Sequence, residues 1–515
     1  MANIINGTVD PETLNGTIAD DQIFGFAGAD TINGLGGNDT IDAGDGDDTV
    51  TIDSGIDTAD GGANNDTLRI DYSAAGLTGT LTIDLRNMIG DGAGTIKYGT
   101  LTGHLTHFEN ITLLNGSAVK DTIFMGSNFV DSTINLYLGD DKFYGGDWAD
   151  HVSGGGGNDT LFGGGGGDVL SGDGGNDILN GGEGSDNMYG GAGNDSYYVD
   201  DLGDFVSETT DSNTNAGGTD IVRSSVDFAL GAYIENLNLI GTEVISGFGN
   251  GLANIINGNS AENLIEGYGG NDTLNGLGGD DSIYGGGGND IINGGVGDDS
   301  MYGGSGNDIY TVDSLLDYVG ETVGEGSDAG GTDLVKSSVS FELGSYVEKL
   351  TLTGIVAIDG TGNNLANTLN GNGAANGLYG LGGKDTINGG SGADTVSGGS
   401  GADILTGGGG HDIFLFDVME TSANRDTIKD FSLVMDAIAF NGDLFTALTH
   451  DAEGKLDAGQ FAIGPAASTS GQHLIYNTTN HVLYYDADGS GIDAQVAVAN
   501  IANSVDLSTA TFLVV

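Results

Sequence analysis

The chain is poor in the residues that usually stabilise or anchor a protein. Its 515 residues include no cysteine, two prolines and one tryptophan. Without cysteine, no disulfide can stabilise the fold. No run of about 18 apolar residues occurs, so the sequence predicts no membrane-spanning helix. Residues 1–7 lack both a cationic region and an apolar core, so it predicts no conventional signal peptide.

Positive charge is also scarce. Lysine and arginine total 12 against 75 aspartates and glutamates, which gives a net charge of −63. Nucleic acids and anionic membranes are therefore predicted to be poor partners, because like charges repel. A charge of this size is typical of disordered chains. The 99 glycines, however, recur at a fixed period, and this favours an ordered repeat.

Common catalytic signatures are absent. The sequence contains neither the G-x-S-x-G motif of lipases nor the H-E-x-x-H motif of metalloproteases. His104 and His107, with Glu109 nearby, leave a zinc site as one alternative, although solvent-facing strand residues fit this pattern better. A pair of acids could form a glycosidase site, but the abundance of carboxylates makes any one pair uninformative. The chain is therefore not predicted to be an enzyme.

The strongest positive feature is an aspartate at every ninth residue. Around Asp159 the segment 154–162 has the form G-G-x-G-x-D-x-U-x, where U is apolar. The aspartates of four such blocks are the predicted metal ligands. They are Asp21, Asp30, Asp39, Asp48, Asp57 and Asp66; Asp141, Asp150, Asp159, Asp168, Asp177, Asp186 and Asp195; Asp272, Asp281, Asp290, Asp299 and Asp308; and Asp385, Asp394, Asp403 and Asp412.

Each residue type in this motif has a physical role. Glycines allow positive φ angles and bring carbonyl oxygens close to an ion. One aspartate per repeat supplies a hard anionic oxygen, and calcium prefers six to eight oxygens from carboxylates and carbonyls. The x-U-x triplet is predicted to be a short strand with one side chain pointing inward, as Leu161 follows Asp159.

The repeat resembles the calcium-binding nonapeptide of the RTX family. The resemblance implies an all-β fold, an elongated parallel β-roll (RTX solenoid) in which two nonapeptides form one coil. It also implies that one Ca²⁺ ion lies between aspartates eighteen residues apart, such as Asp159 and Asp177. Counting such pairs gives about 14 ions. Without calcium the chain is expected to be disordered.

The pattern divides the chain into eight segments. RTX blocks are predicted at 1–70, 136–200, 254–311 and 367–417, an irregular β solenoid segment at 71–135, inserted β modules at 201–253 and 312–366, and a C-terminal domain at 418–515. The two modules are copies offset by 113 residues, as Glu208 and Glu321 illustrate. Blocks three and four begin with asparagines where aspartate is expected, namely Asn254, Asn263, Asn367 and Asn376. Asparagine lacks the charge, so these coils are predicted to bind calcium weakly or not at all.

The repeat stops at about Val418, and the segments Arg425-Asp426-Thr427-Ile428-Lys429-Asp430-Phe431, Asp436-Ala437-Ile438 and the apolar end Phe512-Leu513-Val514-Val515 follow. This C-terminal segment resembles the β-rich domain of serralysin-like RTX proteins. That resemblance implies an uncleaved signal for the type I secretion machinery. Asp486, Asp488 and Ser490 imitate the start of an EF-hand, but the twelfth position is Ala497 rather than glutamate. A β-hairpin turn is the favoured interpretation.

Together these features predict a secreted, extracellular calcium-binding protein with a structural role in a surface layer or matrix. Its predicted partners are calcium and the type I secretion machinery, with self-assembly or a cell-surface glycan as further candidates and no membrane span. Two alternatives stay open. One is a secreted RTX effector of the bacteriocin-like or pore-forming kind, and the other is an enzyme with an unrecognised site.

Overall fold

The structure, a computed structural model, describes residues 2–88, 92–127, 129, 132–209, 214–321, 329–419, 424–503, 505 and 507–515. The chain folds as two compact units, Met1–Ile256 and Asn257–Val515. Among the described residues there are β-strands and one short 3-10 turn, Thr509–Thr511, but no α-helix. Both units are parallel β-solenoids, which confirms the predicted all-β fold class.

The nonapeptide period produces this fold directly. Leu161 pairs with Leu179 in one sheet and Val152 with Leu170 in the other, each eighteen residues apart. The two nonapeptides of one coil therefore contribute one strand to each sheet. The apolar residue of each triplet points between the sheets, and all four of these side chains are at most 4% exposed. Burial of these side chains supplies the core of every coil.

Strands β1–β14 form the first part of unit 1. In order they are Asn3–Asn6, Thr13–Asn15, Asp21–Phe24, Thr31–Asn33, Thr40–Asp45, Thr49–Ile52, Thr58–Ala63, Thr67–Asp71, Leu81–Asp84, Ala93–Tyr98, Leu101–Thr106, Asn110–Asn115, Asp121–Phe124 and Ser132–Asn135. The even-numbered strands β2, β4, β6 and β8, followed by β12 and β14, pair in parallel in one sheet.

Strands β15–β27 complete unit 1. They are Lys142–Tyr144, Asp150–Gly156, Thr160–Gly166, Val169–Gly174, Ile178–Gly184, Asn187–Ala192, Ser196–Val199, Phe205–Ser207, Ile221–Ser224, Phe228–Ala229, Asn236–Leu239, Ser246–Phe248 and Ile255–Asn257, the last of which ends one residue beyond the unit boundary. The odd-numbered strands from β13 to β25 pair in parallel in one sheet. The inserted module 201–253 therefore continues the solenoid.

Strands β28–β44 cover most of unit 2. They are Leu264–Glu266, Thr273–Gly278, Ser282–Gly287, Ile291–Val296, Ser300–Ser305, Ile309–Val312, Tyr318–Gly320, Leu334–Ser337, Phe341–Glu342, Lys349–Leu352, Gly360–Thr361, Thr368–Asn370, Gly377–Tyr379, Thr386–Asn388, Thr395–Ser397, Ile404–Thr406 and Ile413–Phe416. The odd-numbered strands from β29 to β43 form one parallel run.

The last strands, β45–β51, lie in the predicted C-terminal domain. They are Asp426–Ile428, Ala437–Phe440, Phe461–Ile463, Leu474–Asn477, Val482–Tyr485, Val496–Ile501 and Phe512–Val514. Strands β45 and β46 extend the two sheets of unit 2 in parallel, and β50 and β51 extend them further. The solenoid thus continues past the last nonapeptide.

Residues 71–135 differ from the expected irregular coils in one respect. Strands β9, β10 and β11 form an antiparallel meander between the parallel neighbours β7 and β13. The two-residue turn between β10 and β11 contains Gly99 at φ +62°, a conformation that glycine adopts without a side-chain clash. This turn reverses the chain direction, so β11 pairs antiparallel with β10, whereas a nonapeptide would place its strand parallel to its neighbours.

The fold also bears on membrane insertion. No helix within the described residues has the length and apolar character needed to cross a bilayer.

Candidate calcium sites

All the aspartates predicted as metal ligands occupy equivalent positions, either as the first residue of a strand, as Asp21 and Asp150 do, or immediately before one. None of them is more than 2% exposed, although aspartate is rarely buried without a partner. Their burial follows from the repeat, because each lies two residues before an inward apolar side chain. Within each unit, the structure therefore brings the predicted ligands together in rows along the edges of the two sheets.

Backbone hydrogen bonds connect the members of each row. The N–H of Asp159 donates to Asp177 Oδ1 at 2.7 Å, and the N–H of Asp177 donates to Asp195 Oδ1 at 2.7 Å. The same contact joins Asp21 to Asp39 at 2.9 Å. The predicted pairs eighteen residues apart are therefore in contact, through one carboxylate oxygen of each aspartate. We call this series of contacts the carboxylate ladder.

The second carboxylate oxygen is the one that suits a metal. Oδ2 is buried without a hydrogen-bond donor in most ladder aspartates, including Asp57, Asp159, Asp177 and Asp299. At Asp150 the buried oxygen without a donor is Oδ1. A buried carboxylate oxygen that lacks a donor is costly, so these atoms indicate a bound cation.

Glycines make room for such a cation. A Cβ atom at Gly154 would overlap Asp159 Oδ2 and lie 3.0 Å from the carbonyl oxygen of Gly172 in the next coil. Gly155 has φ +95°, and a Cβ there would overlap the carbonyl oxygen of Tyr137. The space beside each ladder oxygen is thus bordered by carboxylate and carbonyl oxygens, the donor set that calcium prefers.

Burial and mutual repulsion disfavour the charged form of these carboxyls when no metal is bound. Burial, with repulsion from neighbouring acids, raises the pKa of Asp57 to about 8 and that of Asp141 to about 8. The same causes raise the pKa of Asp177 and Asp308 to about 7. A cation or a proton must therefore offset the charge if the coils are to close.

These shifts predict that acid partly replaces calcium. Because the folded-state pKa values lie above the unfolded value of about 3.9, the metal-free fold is favoured at low pH and loses stability as pH rises from about 4 to 8. In chelator, the chain should show more β structure by circular dichroism at pH 5 than at pH 7.5. Calcium added at pH 5 should release protons. Equal spectra at both pH values would contradict this linkage between protonation and folding. The samples should be dilute, because the protein can precipitate near its isoelectric point.

The asparagines at the start of blocks three and four behave differently from the aspartates. Asn367 Nδ2 donates to the carbonyl oxygen of Val347 at 3.2 Å, and Asn376 Nδ2 donates to that of Ile358 at 2.6 Å. Oδ1 of Asn367 and Oδ1 of Asn376 each accept the N–H four residues earlier, at 2.7 and 2.9 Å, where most ladder aspartates have an oxygen without a donor. This geometry agrees with weak or absent calcium binding at these coils, which stays a prediction.

The ladder also includes acids that the nine-residue count missed. The N–H of Asp195 donates to Asp220 Oδ1 at 2.7 Å, and that of Asp308 to Asp333 Oδ1 at 2.8 Å, in both cases across 25 residues. Other steps of unusual length include further acids, namely Glu109, Asp121, Asp426 and Asp436. A sequence signal exists, because an acid two residues before a buried apolar residue recurs at each of these positions.

Two other sequence candidates can be located. His107 Nδ1 lies 2.6 Å from Asp60 Oδ1, and His104 is exposed on β11, so the structure does not bring the two histidines together around a common ligand set. Asp486 and Asp488 lie in the loop between the antiparallel strands β49 and β50. This is the β-hairpin turn favoured over an EF-hand.

Comparison with known proteins agrees with this geometry. The family model of the RTX calcium-binding nonapeptide repeat matches ten overlapping stretches that together span residues 6–59, 135–205, 248–310 and 361–414. No curated protein matches the chain. Among solved structures, the extracellular lipase LipA from Serratia marcescens is similar at 18% identity and a TM-score of 0.18, over 60% of this chain and 46% of that one. The chain thus spans less than half of that lipase. Within its β-solenoid fold, the chain therefore contains four blocks of the RTX calcium-binding nonapeptide repeat.

Proposed function

We propose that the protein is secreted and serves as a calcium-loaded scaffold in a surface layer or extracellular matrix. The observation that carries this proposal is the continuity of the carboxylate ladder through the inserted modules. The N–H of Asp195 donates to Asp220 of the following module, and the N–H of Asp308 donates to Asp333 in the same way, so the ladder continues into both copies. Duplicating a segment that preserves coil and ladder lengthens a scaffold, and it does not by itself create a catalytic site.

Charge and surface composition support assembly in the presence of calcium. The net charge of −63 keeps metal-free chains apart. About 14 bound ions would add about +28 and remove more than a third of that repulsion. Val296, Leu315 and Leu316 are 71–75% exposed and border one shallow surface cavity in unit 2. An exposed apolar group of this kind favours contact with another chain once the charge is reduced.

Calcium titration of the purified protein tests the proposal. We expect light scattering to rise at the same calcium concentration at which the chain folds, and negative-stain microscopy to show sheets or fibres. In culture, the full chain should be retained on cells in millimolar calcium. A chain lacking residues 418–515 is the control for type I export and should stay inside the cell.

Other results would favour different functions. A protein that stays monomeric in millimolar calcium at high concentration, and is not retained on cells, would contradict the scaffold proposal and favour a soluble secreted effector. Retention on cells without self-association would instead indicate binding to a surface component such as a glycan.

A further inference from the structure

Two clusters of three carboxylates lie where the inserted modules leave the nonapeptide blocks. The first consists of Asp195, Glu208 and Asp220, and the second of Asp308, Glu321 and Asp333. In each cluster, one oxygen from every residue lies within 4.8 Å of the others. We propose that each cluster binds one Ca²⁺ ion at a site of a second kind, which joins a nonapeptide block to the module after it. We call these the junction sites.

The junction sites are more than acid-rich surface. The three carboxylates of the first site are 0–1% exposed and those of the second 1–2% exposed. Glu208 Oε2 and Glu321 Oε2 are both buried without a hydrogen-bond donor. The ion pairs of Arg86 with Asp84 and of His107 with Asp60 do not involve these sites. A buried glutamate oxygen that faces two further acids and has no donor requires a cation or a proton.

The neighbouring groups provide neutral oxygens for a hard cation. The hydroxyl of Tyr310 donates to Glu321 Oε1 at 2.7 Å and lies 3.3 Å from the carbonyl oxygen of Gly320. In the first site, the hydroxyl of Tyr197 takes the same position relative to Glu208 and Ser207, at 3.5 Å from each acceptor. Carboxylates, a hydroxyl and a carbonyl form an all-oxygen set that calcium accepts at about 2.3–2.6 Å from each ligand.

Glycine keeps the centre of each junction site open. A Cβ atom at Gly190 would overlap both Asp195 Oδ2 and the Tyr197 hydroxyl oxygen, and a Cβ at Gly303 would overlap Asp308 Oδ2 and the Tyr310 hydroxyl oxygen. The same cradle thus recurs 113 residues later with the same atoms. Its recurrence in both copies of the module means that the arrangement belongs to the module and is not an accident of one loop.

The position of the third ligand suggests what the ion does. Glu208 directly follows β22 and Asp220 directly precedes β23, so the two acids stand at the two ends of the link between these strands. This connection makes the ladder step from Asp195 to Asp220 25 residues long, where regular coils use 18. An ion held by all three acids would tie both ends of the longer connection to the last coil of the block. The junction site would therefore keep the solenoid in register across the insertion.

Counting bound ions by native mass spectrometry tests the junction sites. The full-length double variant Glu208→Gln/Glu321→Gln should bind two fewer Ca²⁺ ions than the unaltered chain. Glutamine keeps one acceptor oxygen, and its amide can donate to the neighbouring aspartate, so circular dichroism in calcium should be nearly unchanged. The matched control Glu183→Gln/Glu342→Gln alters two exposed acids and should lose no ion.

The possible results separate this inference from calcium binding by the nonapeptide blocks. An unchanged ion count in the glutamine variant would overturn the inference and show that a proton holds each cluster. Burial raises the pKa of both Glu208 and Glu321 to about 9, so a bound proton is the alternative to a bound ion at these sites. If the glutamine variant loses β structure, Asp220→Asn/Asp333→Asn gives the count instead and should also lose two ions. A load of only two or three ions in the unaltered chain would instead contradict calcium loading of the blocks.

Discussion

Removing calcium with a chelator at pH 7.5 is expected to unfold most of the chain. The circular dichroism spectrum should become that of a disordered protein, and millimolar calcium should restore a β spectrum. Magnesium at the same concentration should not, because it requires a smaller and more regular octahedral shell. This is the largest effect expected of any single change to the solution.

The physical reason is that repulsion along the ladder nearly cancels the gain from the core. Neighbouring coils lie about 4.8 Å apart, and two carboxylates at roughly 5 Å repel by about 3 kcal/mol at an effective dielectric constant near 20. Burial of one aliphatic side chain per nonapeptide returns only about 1.5–3 kcal/mol. Little remains to offset the loss of chain entropy on folding. An ion at ten times its dissociation constant adds about 1.4 kcal/mol per site, and many sites act together.

The fluorescence of Trp148 can report whether one part of the chain, the second nonapeptide block, unfolds when calcium is removed. Trp148 is the only tryptophan of the chain and lies between β15 and β16, where its Nε1 donates to the carbonyl oxygen of Ser127 at 2.9 Å. Its fluorescence therefore reports on the second nonapeptide block, while circular dichroism reports on the whole chain. A β spectrum in chelator, with unchanged Trp148 emission, would contradict calcium-dependent folding.

The parts of the fold that depend on local period could be predicted from the sequence. The spacing of nine residues fixes which side chain points inward, as at Leu161, and pairing over eighteen residues follows once two nonapeptides form a coil. The ladder aspartates follow from the same count, because each holds a fixed place before its strand. These features need no knowledge of distant contacts.

The features that sequence analysis missed all depend on contacts across irregular spacings. The ladder step from Asp66 to Glu109 crosses 43 residues and encloses an antiparallel meander, which no nine-residue count can register. The junction sites are similar. Glu208 does not lie at a nine-residue step from Asp195, and it comes close to the ladder because β22 ends at the residue before it. Its repetition as Glu321 was visible in the sequence, but the repetition did not show which residues it would meet.

The asparagine coils lead to the second large prediction, which concerns the seven aspartates of the second block. Replacing Asp141, Asp150, Asp159, Asp168, Asp177, Asp186 and Asp195 by asparagine should give a block that folds without calcium. Asn367 and Asn376 show the hydrogen bonds that asparagine makes at this position: Nδ2 donates to a carbonyl oxygen of the preceding coil, and Oδ1 accepts the N–H of the residue four positions earlier. We expect these bonds to replace the ladder contacts in the asparagine block. The substitutions also remove most of the repulsion of about 3 kcal/mol between neighbours.

Trp148 emission in chelator tests this prediction within the full-length chain. The asparagine variant should show in chelator the emission that the unaltered chain shows in calcium. It should bind about six fewer ions, five from the ladder of this block and one from the junction site that contains Asp195. The matched control replaces the same seven residues by alanine. Alanine has neither the ladder acceptor of aspartate nor the donor and acceptor of asparagine, so this block should be unfolded with and without calcium.

The comparison of the two variants separates repulsion from bridging as the cause of calcium dependence. If the asparagine block is unfolded in chelator, removal of the charge is insufficient, and the ion must act mainly by bridging oxygens of adjacent coils. If it folds, the ion acts mainly by offsetting the charge of the ladder, because amide hydrogen bonds of the kind made by Asn376 then suffice to hold the coils together. Folding of the alanine variant in chelator would contradict both accounts, since neither the ladder hydrogen bonds nor the ion would then be needed.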